Sequence, residues 1–352
     1  MDTKKIAEDN KIMECYSGSH AYGTSTPESD VDYRGLFVAP RIYTTPFHTI
    51  EQYTAPKPED RVLYEVSKFL KLVSDQNPNV IEFLWVDDDS ILFRNEIYDY
   101  LRSQREKLLS SQAKFRFAGY AFSQLERIKG HNKWINNPQP KEPPRQTDFV
   151  KLVHNFSDDK ILKIDIYDYR DDYRLIPFEG NLFGLYVMKD YQTFNDDYTL
   201  NSVYDPDEDA FVNDDGTRRH PLFVVKFCKE EYLHAKRKHK DYWTWKKERN
   251  PIRAALEEKY GYDCKHAMHL VRLMRMCKEI LTEGVVHVKR PDAEELLAIR
   301  NGSLTYEQVL QLAAQYDNEM NDLYKKTALQ RSVNPTVAGE ILMTVQDMMW
   351  SK

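Results

Sequence analysis

Residues 15–37 read CYSGSHAYGTSTPESDVDYRGLF. An apolar stretch, Ile12 to Tyr16, leads into Gly18-Ser19; ten residues later comes Asp30-Val31-Asp32, followed by the strand-like run Tyr33 to Val38. Residues two apart on a strand share a face, so Asp30 and Asp32 are expected to point together while Val31 turns back into the core. A Gly-Ser turn lets backbone N–H groups and a hydroxyl approach phosphate oxygens. Paired carboxylates supply the oxygen ligands that magnesium takes alongside phosphates. Asp-x-Asp alone is usually a solvated turn, and Gly-Ser alone carries little. Their combination at this spacing, between two strand-like runs, is what points to metal-assisted phosphoryl or nucleotidyl transfer. Arg34, two residues beyond Asp32, falls on the acidic face, where it is expected to touch phosphate or to neutralise a carboxylate, the second being slightly preferred.

The stretch resembles the DNA-polymerase-β-like nucleotidyltransferase superfamily, whose signature is Gly-Ser, about ten residues, then Asp-x-Asp. The resemblance implies a third carboxylate on a neighbouring strand, completing the metal cluster and able to act as base for the incoming hydroxyl. Asp60, at the head of the apolar run ending in Val66, is the first choice, with Glu59 and Glu65 as rivals. On a strand Glu65 faces opposite to Asp60, so both cannot be ligands without a bend.

The length of 352 residues suggests two or three domains. No apolar run approaches the ~20 residues of a membrane span. The opening MDTKKIAEDNK is polar and lacks the apolar segment of a signal peptide. The cysteines Cys15, Cys228, Cys264 and Cys277 are scattered, which argues against a zinc site or a disulfide framework and makes a reducing cytoplasm the expected compartment. A formal net charge of −6 excludes a generally basic nucleic-acid coat, so any nucleic acid must be held by a local patch.

The expected fold is α+β: a small mixed-sheet core with a β-rich insert and a mainly helical C-terminal half. The expected boundaries are a catalytic core over 1–110, a helical connection over 111–146, an acidic β-rich insert over 147–227 and a helical domain over 228–352. Charged amphipathic spacing predicts one helix over Glu96–Gln112 and another over Ala113–Arg127, whose aromatics are read as core. Glu82, inside an apolar run, is read as a partner for a ribose or an active-site arginine, with a cap or surface role equally open. Asp87-Asp88-Asp89 reads as a solvated turn. In the insert, strands are expected over 160–169, 173–177, 182–189 and 221–227, and the acidic, turn-rich stretch 191–216 argues against phosphate contact.

Between Lys226 and Arg253 the charge reverses. Lys229, Lys236, Arg237, Lys238, Lys240, Lys246, Lys247 and Arg249 are interleaved with Tyr232, Tyr242, Trp243 and Trp245. Charge for phosphates and rings for bases is the pattern of a single-stranded nucleic-acid groove; a solvated helix with aromatics facing the core is the plainer reading. Asp263 to Glu283 is the strongest helix, with Ala267, Leu270, Val271, Met274, Cys277 and Leu281 as its buried stripe. Lys265, His269 and Arg272 fall on the other face, a row that suits a triphosphate.

Taken together, the chain is similar to the RlaP-like predicted nucleotidyltransferases linked to RNA repair. The matching pieces are Gly18-Ser19-His20-Ala21-Tyr22-Gly23, Ser29-Asp30-Val31-Asp32-Tyr33-Arg34-Gly35, Asn77-Pro78 with Glu82, and Gly119-Tyr120-Ala121. Further along come Lys265-His266-Ala267 with His269 and Arg272, and Arg290-Pro291-Asp292 with Ile299-Arg300. The stretch of roughly 135–225 is not matched. The resemblance implies two magnesium (or manganese) ions and a nucleoside triphosphate, ATP being the expected one. Asp30, Asp32 and Asp60 would be catalytic and metal-binding, and Gly18, Ser19, Lys265, His269 and Arg272 would hold the nucleotide. The expected reaction is transfer of a nucleoside monophosphate to a hydroxyl, an RNA 3′ end first. The alternatives are adenylylation of a protein or small molecule, or a non-catalytic nucleotide-binding module.

Overall fold

The computed structural model describes residues 2–156, 163–201, 217 and 219–351, leaving aside the side chains of 252 and 253. Helix α1 (Thr3–Asp9) feeds β1 (Lys11–Ser17), which is followed by the short helix α2 (Gly18–Tyr22) and then β2 (Asp32–Phe37). A two-residue hairpin, β3 (Thr44–Thr45) and β4 (His48–Thr49), precedes β5 (Gln52–Thr54) and β6 (Asp60–Glu65). The stretch 41–58 contributes the hairpin and, with β5, an edge strand of the sheet. After α3 (Val66–Ser74) and α4 (Pro78–Ile81), β7 (Ile91–Arg94) completes a mixed sheet of order β5-β6-β2-β1-β7. Only β2 and β6 run parallel in it.

Alternation along β2 sets the two faces of this sheet. Leu36 and Val38 enter the main core with Met13, Phe69, Tyr98 and Leu101, while Phe37 joins a smaller core with Ala7, Ile50 and Leu63. On the smaller-core side, Arg61 bridges Glu8 of α1 and Glu14 of β1, while Lys11 Nζ lies 2.6 Å from Glu14. Gly35 sits where the sheet is tightest. A Cβ there would lie 2.6 Å from both Leu63 Cδ2 and Met13 O.

The segment expected as one helix over 96–112 is broken. Helix α5 (Glu96–Ser103) stops, a 3-10 turn follows over Arg105–Leu108, and the backbone then leaves the helical ladder for tertiary partners. Ser110 N donates to Gln76 Oε1 and Ser111 N to Gln330 O. Conversely α6 (Ala113–Asn136) is one helix of 24 residues. Its aromatics are split: Phe117 is buried, whereas Phe115, Tyr120 and Phe122 are exposed, so the core reading holds for the first alone.

The chain divides into two units, 1–136 with 250–352, and 137–249. The second unit holds an antiparallel sheet of order β8-β11-β10-β9, formed by β8 (Val150–Asn155), β9 (Asp171–Pro177), β10 (Leu182–Gln192) and β11 (Phe223–Phe227). Strand β8 was not expected. Of the strand expected over 160–169, residues 160–162 lie outside the described residues, and Ile166–Tyr169 is a 3-10 turn. Most of the acidic run, 202–216, also lies outside them. The same unit contains α7 (Lys229–Glu248). Its Tyr232 belongs to the small core under the sheet and its Tyr242 is buried, as the plainer reading of this segment anticipated. Its lysines at 236, 238, 240, 246 and 247 are solvent-facing or nearly so.

The first unit resumes with α8 (Pro251–Tyr260), α9 (Cys264–Glu283), α10 (Ala293–Arg300), α11 (Tyr306–Lys326) and α12 (Pro335–Trp350). Helix α9 is the axis of this half, packing against α6, α10 and α11. It starts on an Asp263 cap, whose carboxylate accepts from His266 N, and stops at Gly284 with φ +70°. No helix among the described residues is long and apolar enough to cross a membrane.

Gly35→Ala is expected to lower stability by about 1–3 kcal/mol through overpacking against Leu63 and the Met13 carbonyl. A shift of the urea midpoint at unchanged slope would show it; wild-type stability would mean that the sheet yields there at no cost.

Candidate active site

The pairing of β2 with β6 decides the geometry. Asp32 and Asp60 open these parallel strands directly opposite one another, Asp32 facing Asp60 in the register. Neighbouring strands lie about 4.8 Å apart, so the two carboxylates are forced together. Burial and then the adjoining Asp60 carboxylate push the Asp32 carboxyl above its ordinary value. Arg34, on the same face, donates to Asp60 Oδ1 at 2.9 Å, the neutralising role read from its position. Asp60 is half exposed, which leaves it open to a second molecule.

The rivals are elsewhere. Glu65 sits at the far end of β6 opposite Phe37, buried, and its carboxylate caps α3 by accepting from Ser67 N at 2.6 Å. Glu59 is exposed, 3.9 Å from Arg61.

Asp30 lies before β2 rather than on it, and Val31 is 37% exposed instead of pointing into the core. The strand begins only at Asp32, so the two-residue alternation does not govern Asp30. Asp30 still faces the same cleft and adds its negative charge to the field at Asp32.

Gly18-Ser19 opens α2. Gly18 has φ +61°, and a Cβ on it would collide with Asp32 Oδ2. The backbone therefore approaches the carboxylate as only glycine permits. Gly18, Ser19, Asp30 and Asp32 line a cleft of about 380 Å³ whose opposite wall includes Lys265 and His269 of α9, with Arg300 from α10. The cleft also receives Thr24, whose Oγ1 is buried without a hydrogen-bond partner among the described residues. Burial and the neighbouring cations Arg272 and Lys265 hold the His269 imidazole well below its ordinary value. It is a neutral donor or acceptor at pH 7, not a positive charge for phosphate.

Arg272 does not join Lys265 and His269 in the cleft. It is 4% exposed and donates to Glu82 Oε1 at 3.0 Å, with its guanidinium 3.8 Å from the centre of the Tyr22 ring. Tyr22 Oη donates to the other Glu82 oxygen at 2.7 Å. The row of three was a helical-wheel inference, and a wheel does not show that the far end of one face is covered by α2. Glu82 is thus the partner of an arginine, one of the roles its apolar setting suggested. A second clamp meets the same helix. Arg290 N donates to Tyr22 O at 3.1 Å, while its buried guanidinium is held by Glu279 and Asp292. Arg275 extends that network to Asp292 and Glu295. Of these ion-pair partners, Arg275, Glu279 and Glu295 were not singled out in the sequence.

The donor set at the strand ends fits a hard divalent cation. Asp30, Asp32 and Asp60 offer oxygen alone, which suits magnesium or manganese. The close pair Asp32–Asp60 concentrates negative charge that such an ion offsets.

A mixed sheet with a glycine-opened helix against paired aspartates defines the class, and comparison with known proteins agrees with it. Residues 3–139 match the family RlaP, described as the RNA repair pathway DNA polymerase beta family. The match takes in the whole mixed sheet, Gly18, Ser19, Asp30, Asp32 and Asp60, and bears out the resemblance drawn from those motifs. The chain is also similar to an uncharacterized 38.9 kDa protein from the nrdC-mobD intergenic region of Enterobacteria phage T4. The two are 27% identical over 133 residues, which span 34% of this chain and 39% of that protein. No solved structure matches the chain.

Removing one partner of the buried Glu82–Arg272 pair leaves an uncompensated charge. Glu82→Ala is therefore expected to cost about 3–5 kcal/mol in chemical denaturation, and a double variant, Glu82→Leu with Arg272→Met, should recover most of it. Additive losses in the double variant would contradict the pairing. On the nucleotide-binding role proposed below, Gly18→Ala, strained at positive φ and directed at Asp32, is expected to abolish nucleotide binding in calorimetry while the far-ultraviolet spectrum stays that of the wild type.

Proposed function

We propose that this chain transfers a nucleoside monophosphate from a nucleoside triphosphate, ATP first, to a hydroxyl acceptor, and that the acceptor is an RNA 3′ end. The observation that carries the reading is the in-register pair Asp32–Asp60 beside the glycine-opened start of α2. In this reading Asp30, Asp32 and Asp60 hold magnesium or manganese, which when bound offsets triphosphate charge and lowers the barrier to attack on the α-phosphorus. Gly18 N–H and the Ser19 end of α2 meet phosphate oxygens, which the N-terminal end of a helix favours. Lys265 supplies positive charge from the opposite wall, and neutral His269 supplies a hydrogen bond. Thr24 Oγ1 finds in the bound nucleotide the partner it lacks. Arg272 takes no part in binding; with Glu82 it positions Tyr22, and through Tyr22 the helix that carries Ser19. Asp60, half exposed and restrained by Arg34, accepts the proton of the attacking hydroxyl.

The choice of RNA rests on the family description and on the exposed lysines of α7. The burial of Tyr232 and Tyr242 removes two of the four rings that would have stacked on bases, so α7 binds chiefly through charge.

The test is transfer of label from α-labelled ATP, GTP, CTP and UTP, with magnesium or manganese, to an RNA pool and to a protein extract. Loss of several kcal/mol of charge stabilisation corresponds to a drop of roughly 100-fold or more, expected for Asp32→Asn and Asp60→Asn. Label confined to protein or to a small molecule would replace RNA as the acceptor. Absence of label together with absence of nucleotide binding would end the catalytic reading.

A further inference from the structure

The stretch Gly119-Tyr120-Ala121, one of the pieces that carried the resemblance, has no part in the cleft. It lies on α6, where folding gives no reason for Gly119. A glycine inside a helix costs stability relative to alanine, and a Cβ here would meet nothing within 4 Å, so no neighbour demands its absence. Phe115 lies four residues before it and Phe122 three after, so the two rings flank it on one side of the helix. Phe115 is 54% exposed and Phe122 38%. A helix-weakening residue set bare between two solvent-facing rings points to a ligand outside the chain.

The surroundings are basic. Phe115 meets Tyr324 of α11 edge to face, with 5.1 Å between ring centres. Lys114 Nζ stands 5.0 Å from the centre of the Phe115 ring, and the Arg331 guanidinium 4.8 Å from that of Tyr324. The rings border an open cavity of about 440 Å³, lined by Gln112, Phe115, Arg116, Tyr324, Arg331 and Ser332. Every charged residue of that lining is positive.

The cations are only lightly neutralised. Arg331 donates to Tyr324 O at 3.1 Å and, among the described residues, has no carboxylate partner. Arg116 donates to Asp75 O at 3.0 Å, and its pairing with the Asp75 carboxylate is a long 3.7 Å. Glu126, four residues past Phe122 on α6, is itself offset by Lys129 at 2.9 Å. Rings and positive charge therefore stand side by side, with little negative charge to repel a phosphate.

We propose that this face of α6 and α11 holds single-stranded RNA, with bases stacking on Phe115 and Phe122 across the bare backbone at Gly119 and phosphates meeting Arg116 and Arg331. Aromatic rings beside cations hold single strands with little sequence preference, because every base offers a flat face. A guanidinium already laid against a tyrosine ring loses little freedom when it takes up a phosphate. A protein partner would also cover apolar rings, but the core of a protein interface is depleted of charge, whereas here the cations stand against the rings. The inference rests on the proposal that the acceptor is RNA, and it names where the strand is held. It also supplies the stacking surface that burial of Tyr232 and Tyr242 takes from α7.

The experiment uses the full-length chain without nucleotide or metal, with Lys236→Gln, Lys238→Gln and Lys240→Gln to remove much of the α7 charge. A fluorescent single-stranded RNA of about 12 nucleotides is titrated by anisotropy. Phe115→Ala with Phe122→Ala should weaken binding at least about tenfold, the loss of one or two stacked bases. Arg331→Gln should lessen the slope of log affinity against log salt by about 0.7. Gly119→Leu should raise the melting temperature and weaken RNA together, a combination that a merely structural glycine does not give. Should the phenylalanine pair fail to fold, the Arg331 slope and the Gly119 variant still decide. RNA held as tightly by the folded pair would overturn the surface, as would absence of RNA binding by the parent. Self-association of the wild-type chain that the pair abolishes, with RNA affinity unmoved, would assign the face to protein instead. Label still passed to RNA under those outcomes would leave the catalytic reading standing. Failure of that reading shows differently, as absent label and absent nucleotide binding while RNA is still bound.

Discussion

Two carboxylates on adjacent parallel strands, directly opposite in register, are an expensive arrangement, and much of the first unit bears on it. The register puts Asp32 and Asp60 at strand-to-strand distance whether or not their charges agree. Arg34 relieves one of them from the same face. Gly18 allows the backbone of α2 to come up against the other, where positive φ and the absence of a side chain are both needed. The resulting site has a strongly negative floor, a backbone rim that offers N–H groups, and a polar wall from α9. Each feature follows from local geometry, and together they give a cleft suited to a triphosphate with its metal ions.

The cleft is only as well defined as α2, a helix of five residues with no stability of its own. Its rigidity is borrowed from below. Tyr22 is held through its hydroxyl by Glu82, through its ring by Arg272 and through its carbonyl by Arg290. These partners come from three distant parts of the chain, so the turn that opens at Gly18 reports on the packing of the helical half. The buried ion pair at its base brings specificity of position more than stability.

Much of the site was legible because its signals are local. Gly18 and Asp32 follow from motif spacing and Arg34 from strand parity; Asp60 was chosen on what the resemblance implies, and the parity argument that set Glu65 apart from it agrees with their opposite settings on β6. The stripe of α9 was equally plain. What escaped was tertiary. Arg272 lies on a helix face that looks polar on a wheel, yet α2 and Glu82 cover it. Val31 was assigned to the core by extending a strand two residues before its first ladder bond. Gln76 and Gln330 interrupt the helix expected over 96–112 from a distance, and nothing in that segment foretells it.

The packing of α12 has a bearing on how the chain can be dissected. Its Val345 belongs to the same core as Ile12 and Leu36, and the Trp350 indole donates to Ala39 O just past β2. Helix α9, also late in the chain, packs along α6. The region of family likeness, 3–139, thus shares its core with helices that lie beyond it. Cut out alone, it would present Phe117, Ala121 and Leu125 of α6 to water in place of α9, an apolar surface of the kind that makes fragments self-associate.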